Sequence, residues 1–301
     1  MGWLPGFPSR PGEKSMELLL NVEPLIGQRL IAKAVALLPE VRRAFESETV
    51  VVNAGTTSVL VFYELTGKLP EGAMAAGLVV RKGLCSDAEM RAFLMKHGYG
   101  ASWVFKKGEL LRKYKLQSVV RGFSEKDVFI KGGNAVDPTG LAGGFMATEN
   151  YGTIQIAMPV ILAKGAHLIV PVSHQKAILG SVMRNCPKMG IRRIDWSIGL
   201  PIGYTPIVGR TVTEVEAFRI LLDLEAFPVG SGDLLGKDGS ETFYVSGSRK
   251  KIDRALEMVE VCRNEHDELP VQRSSPPCGE CRNNTCVEKN FNFERYAEAG
   301  I

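Results

Sequence analysis

Two glycine-rich turns, each following a run of buried-strand residues, carry the clearest chemistry in this chain. The first is Asn53-Ala54-Gly55-Thr56-Thr57-Ser58, after Thr49-Val50-Val51-Val52. The second is Lys131-Gly132-Gly133-Asn134-Ala135-Val136-Asp137, after Asp127-Val128-Phe129-Ile130. Glycine lets the backbone approach a ligand, hydroxyls donate to it, and a helix that starts at the turn presents its positive end. Both turns therefore point to a small anion. Gly152-Thr153 opens a third glycine turn at a predicted helix start, and Gly143-Gly144 lies between. Glu149 is a carboxylate just before that helix, placed to act as an acid or base. His174 follows another apolar run, at the end where a parallel strand would deliver a ligand.

The C-terminal stretch offers a second chemistry. Cys278, Cys281 and Cys286 form a C-x2-C-x4-C array with Gly279 between the first two. That spacing lets two thiolates reach one metal. Zinc would need a fourth ligand, and Cys262, Cys186 or His266 can supply it. Three thiolates can also hold a [4Fe–4S] cluster whose last iron is ligated from elsewhere. Three free thiols on a polar tail is the plain alternative. Cys85 and Cys186 read as ordinary core residues.

The elements that must position these groups follow from periodicity. Residues Glu23 to Phe45 read as one helix, with Pro24 in its first turn. Thr49–Asn53 is a strand and Thr56–Leu65 a helix stopped at Thr66-Gly67. Ala75–Val80 is a strand, and Asp87–Lys96 a helix capped by Ser86. Asp127–Ile130 is a strand, Thr153–Lys164 a helix stopped by Gly165, and Leu168–Val172 a strand. Strands alternating with helices imply an α/β fold on a parallel, Rossmann-like sheet. Later, Arg193–Ile198, Ala226–Val229 and Thr242–Ser246 read as strands, and Thr213–Leu224 and Ser248–Arg263 as helices. These make a small β-α-β-β-α module of plait-like form. The division is a flexible arm over 1–15, a ligand-binding domain over 16–185, the small module over 186–265 and a cysteine-rich tail over 266–301. Glu265–Pro277 reads as a linker.

This order of parts resembles the superfamily of ribose-5-phosphate isomerase A, glucosamine-6-phosphate deaminase and the CoA-transferases. Sugar-sensing repressor domains and the initiation-factor-2B-like isomerases share that fold. The resemblance rests on the Gly55-Thr56-Thr57-Ser58 turn, on the strand Asp127–Ile130 running into Gly132-Gly133, and on the run Ile169 to Lys176. It spans roughly residues 23–180. It implies that Gly55, Thr56, Thr57 and Ser58 cradle a phosphate, with Gly152 and Thr153 at a similar helix start. It implies that Lys176 anchors the anion. The isomerases carry a catalytic acid where this chain has Asn134, and an amide cannot shuttle a proton at neutral pH. Asp137 matches a second acid position of the isomerases and is the acid/base residue that the resemblance offers. The same Asp137-Pro138-Thr139-Gly140 run also reads as a turn whose aspartate bonds its own backbone. Members often form dimers or higher oligomers, so a homo-oligomer is allowed here.

The bulk composition bounds these readings. The 301 residues suffice for one large domain or two modest ones. A net charge of +4 with only short basic runs gives no footprint for nucleic acid. No apolar run reaches the length of a membrane helix, and Met1–Ser15 lacks the apolar core of an export signal. The expectation is a cytoplasmic protein whose partner is a small anionic, phosphorylated metabolite. It would act either as an isomerase- or transferase-like enzyme or as a non-catalytic sensor. An enzyme using a metal cluster on the cysteine tail is the third reading. From position alone, Tyr204 and Arg210 close over the ligand.

Overall fold

The computed structural model describes residues 15–70, 78–80, 83–85, 102–147, 152–197, 199–232 and 239–268. The strands are β1 (Met16–Val22), β2 (Thr49–Asn53), β3 (Leu78–Val80), β4 (Gly83–Cys85), β5 (Ser102–Lys106), β6 (Glu109–Leu110), β7 (Val128–Ile130), β8 (Ala135–Val136), β9 (Ala142–Met146), β10 (His167–Pro171), β11 (Gly203–Ile207), β12 (Arg210–Val212), β13 (Glu225–Gly232) and β14 (Ser240–Gly247). The helices are α1 (Pro24–Leu37), α2 (Pro39–Ser47), α3 (Thr56–Thr66), α4 (Leu116–Arg121), α5 (Gly152–Lys164), α6 (Val182–Asn185), α7 (Glu214–Leu222) and α8 (Arg249–Glu268).

The fold is mixed α/β around a six-stranded sheet in the order β12-β10-β7-β2-β5-β6. The strands β12, β10, β7 and β2 are parallel, and β5 and β6 extend the sheet antiparallel. Burial on both faces explains why β2 and β7 read as unbroken apolar runs rather than alternating ones. Val50, Val52, Val128, Ile130 and Ile169 face one core, shared with α1, α2, α3, α7 and α8. Val51, Phe129, Leu168 and Val170 face the other, shared with α5. The chain therefore leaves β2 through α3 on one face and leaves β7 through α5 on the other. Such a divergence opens the sheet between the carboxyl ends of the two strands, where ligands bind in open α/β sheets.

The local signals account for most elements. Pro24 opens α1, and Gly67 ends α3 in the left-handed conformation at φ 70°. The predicted single helix over 23–45 is broken at Leu38. Pro39 lacks an N–H and forces the preceding residue out of the helical region, so Leu38 sits at φ −59°, ψ 130° and a second helix begins. Arg193–Ile198 is not a strand in its described part. Ile191–Arg193 is a 3-10 turn, and Arg192, Arg193, Asp195 and Trp196 lie exposed, which leaves no buried face to pair.

Met16–Val22 forms a strand that the sequence reading passed over. Its burial alternates along β1, and it pairs antiparallel with β14 through all seven residues. The sheet β1-β14-β13 packs with α8 onto the core that holds α1. β12, from the stretch read as the second module, extends the central sheet beside β10. The two halves of the chain are thus interleaved through β1 and β12. α8 continues through Glu268, into the stretch read as linker. The arm up to residue 14, the helix expected over Asp87–Lys96, Glu149 and the cysteine tail lie outside the described residues. Among the described residues, no helix is long and apolar enough to cross a membrane.

Candidate functional site

The carboxyl edge of the parallel strands collects the first two glycine turns. Gly55 is the N-cap of α3, so the Thr56-Thr57-Ser58 turn is the start of a helix whose first N–H groups have no intrahelical acceptor. Thr57 and Ser58 are buried while Gly55 and Thr56 are partly open. Ser58 Oγ is fully buried and has no hydrogen-bond partner among the described residues. The two turns meet at this hydroxyl. A side chain on Gly55 would place its Cβ 3.4 Å from Ser58 Oγ, and one on Gly132 would place it 3.7 Å away.

Two ammonium groups stand over the second turn. Lys176 Nζ donates to the Gly133 carbonyl at 3.0 Å, and Lys131 Nζ lies 3.4 Å from the Gly132 carbonyl. Burial, and then the neighbouring charge of Lys176, lowers the Lys131 pKa from 10.5 to about 8. Among the described residues no carboxylate pairs with Lys131. Lys131 is thus a cation held beside another cation, an arrangement that a bound anion would relieve.

The remaining predicted residues sort differently. Asp137 is buried and its carboxylate is consumed by a turn. Oδ1 accepts from Thr139 N at 2.9 Å, from Thr139 Oγ1 at 2.5 Å and from Leu141 N at 3.2 Å. Oδ2 accepts from Val182 N at 3.0 Å. Burial alone would raise its pKa, but these hydrogen bonds outweigh that and hold it below the usual carboxylate range. A carboxylate so bound fixes a turn and is a poor proton shuttle. Asn134 Oδ1 accepts from Phe145 N at 3.0 Å.

Gly152 and Thr153 open α5, which packs on the face of the sheet opposite α3. Gly143 is a β9 residue lying against the Tyr204 ring, where no Cβ would fit. Tyr204 is buried there, and burial foremost pushes its hydroxyl up to about 12. Arg210 starts β12 and pairs with Glu40, at the opposite end of the strand from the turns. Cys262 lies in the core on α8. A separate recess of about 350 Å³ opens between α1, α2 and α3. The charges lining it include Lys33 and Glu64, which pair at 3.3 Å.

His174 faces two carboxylates. Its Nδ1 lies 3.7 Å from Glu214 Oε2 and 3.9 Å from Glu241 Oε2. Two carboxylates repel a metabolite anion, so His174 belongs to a second, acidic group. One potential metal-ligand atom from each of His174, Glu214 and Glu241 lies within 4.8 Å of the others. Neither glutamate was singled out from sequence. Glu214 is announced by Thr213-x-x-Glu216, a capping box that fixes it as the first residue of α7. Nothing local announces Glu241.

No family model, characterised protein or solved structure matches this chain. The functional reading therefore rests on the geometry of the carboxyl edge.

Proposed function

We propose that the carboxyl edge between β2 and β7 binds a small anionic metabolite through a phosphate group. The observation that carries this is the meeting of the Gly55–Ser58 helix start with the Gly132-Gly133 turn, under the paired ammonium groups of Lys131 and Lys176. The helix start offers N–H groups and a positive end, Ser58 a hydroxyl with no hydrogen-bond partner among the described residues, and the lysines two charges that match a phosphate dianion. A Rossmann-like description of the sheet, and kinship with the sugar-phosphate isomerases and CoA-transferases, belong to the same proposal.

Within that kinship, ligand sensing is favoured over isomerisation. The two positions where an isomerase-like acid is expected hold Asn134, whose Oδ1 accepts from a backbone N–H, and Asp137, whose two oxygens both accept backbone N–H groups. The test is denaturant unfolding of the full chain with increasing inorganic phosphate, and then with a panel of sugar phosphates. A ligand at ~100 times its dissociation constant adds about 2.7 kcal/mol to stability. Wild-type protein should gain stability, and Lys176→Met should lose most of the gain. No response to any phosphorylated compound, or an equal response in the variant, would remove the proposal.

A further inference from the structure

We infer that His174, Glu214 and Glu241 form a binding site for one divalent transition-metal cation. The three side chains come from separate elements: the turn after β10, the first residue of α7 and the second residue of β14. Their approach is too long for hydrogen bonding. Imidazole and carboxylate bond at about 2.7–2.9 Å, whereas Nδ1 stands 3.7 and 3.9 Å from the two carboxylates. Ligands about 2.1 Å from a common metal lie roughly 3.0–3.5 Å apart, so small inward movements would close the set.

The surroundings make these groups difficult to keep without a cation. The Glu214 side chain is 2% exposed and that of Glu241 9%. Neither pairs with lysine or arginine among the described residues. Glu241 accepts no hydrogen bond there, and His174 Nδ1 is buried without a hydrogen-bond partner. A buried carboxylate without a donor is costly, and two of them facing one imidazole more so.

The site is also braced. The His174 backbone N–H donates to Glu214 Oε2 at 2.9 Å, tying one ligand to another. The His174 ring stacks on buried Phe243, with centroids 5.8 Å apart, which fixes its orientation. On the third side α1 presents Gly27, where any Cβ would lie 2.5 Å from Glu214 Oε1. Such outer contacts are what orient metal ligands. One imidazole nitrogen and two carboxylate oxygens suit manganese, iron(II), cobalt or zinc, and leave further positions for water.

Manganese(II) alone is the probe, because thiolates such as those of Cys278, Cys281 and Cys286 favour softer ions. Chelator-treated full-length protein is titrated with the metal, and free Mn²⁺ is followed by electron paramagnetic resonance. Wild type should bind one equivalent. Glu241→Gln, which keeps the side-chain shape, and His174→Ala should each weaken binding at least about tenfold. Replacing the three tail cysteines with serine should leave it unchanged. Circular dichroism checks the fold of each variant, and the glutamine variant carries the test if the alanine one does not fold. Absence of saturable binding by wild type would overturn the inference in favour of a shared proton between the glutamates. Unchanged affinity in Glu241→Gln would overturn it too.

Discussion

Replacing Lys131 with methionine should stabilise the ligand-free protein while weakening phosphate binding. The ammonium of Lys131 is held beside that of Lys176 in a desolvated position, and its pKa falls from 10.5 to about 8. At about 1.4 kcal/mol per unit, that gap corresponds to a destabilisation of up to about 3 kcal/mol when both folded and unfolded chains carry the proton. The sign follows from proton counts. Below pH 8 both states are protonated and the cost is full. Between about 8 and 10.5 the folded state has lost the proton while the unfolded state keeps it, so stability attributable to this residue rises with pH. Above that window the cost is gone. Methionine fills nearly the same volume without a charge, so urea unfolding at pH 7 should show a higher midpoint at unchanged slope. The advantage over wild type should shrink steadily from pH 8 to 10.5. Phosphate binding should fall about 10- to 100-fold at pH 7, the worth of a charge-assisted hydrogen bond. A variant less stable than wild type at pH 7, or a stability difference indifferent to pH, would refute the electrostatic reasoning.

Three further outcomes follow from the same geometry. Ser58→Ala removes a buried hydroxyl that has no partner among the described residues, so it should leave the free protein as stable or more so by about 1 kcal/mol and weaken phosphate binding in the same titration. Asp137→Asn should cost about 2 kcal/mol at pH 7 through lost charge-assisted bonds, with the phosphate response intact. Because the Asp137 pKa is depressed on folding, wild type should lose that advantage only as pH falls below 3.8 and through the folded value; urea unfolding between pH 2 and 6 would expose the window (the range taken as roughly the carboxylate region). Gly27→Ala sets about 1 kcal/mol of helix propensity against overpacking of about 1–3 kcal/mol on the Glu214 side chain. A small net loss of stability is expected, and a clear loss of manganese affinity in the resonance titration.

Most of the secondary structure was legible because its signals are local. The β-branched run Thr49–Asn53 and the glycines at 55 and 67 specify a buried strand, a turn and a helix with its stop, whatever surrounds them. Pro39 carried the helix break in plain sight, since proline restrains the residue before it wherever it occurs. Met16–Val22 was less legible, because the run Leu18-Leu19-Leu20 hides the in-and-out alternation that pairing with β14 imposes.

The candidate site divides along the same line. By itself, the sequence determined that two glycine turns would sit at the ends of β2 and β7, because strand and turn chemistry are set within a few residues. It also held Asp137 as both a turn former and a proton carrier. Only the tertiary structure brings the Val182 N–H onto a carboxylate already bound by its own turn. Tertiary structure alone put Lys131 beside Lys176 and aimed His174 at Glu214 and Glu241. Such pairings depend on which strands become neighbours and on which face each crossover takes. Those choices come from burying the whole set of apolar faces at once, which no local window of residues encodes.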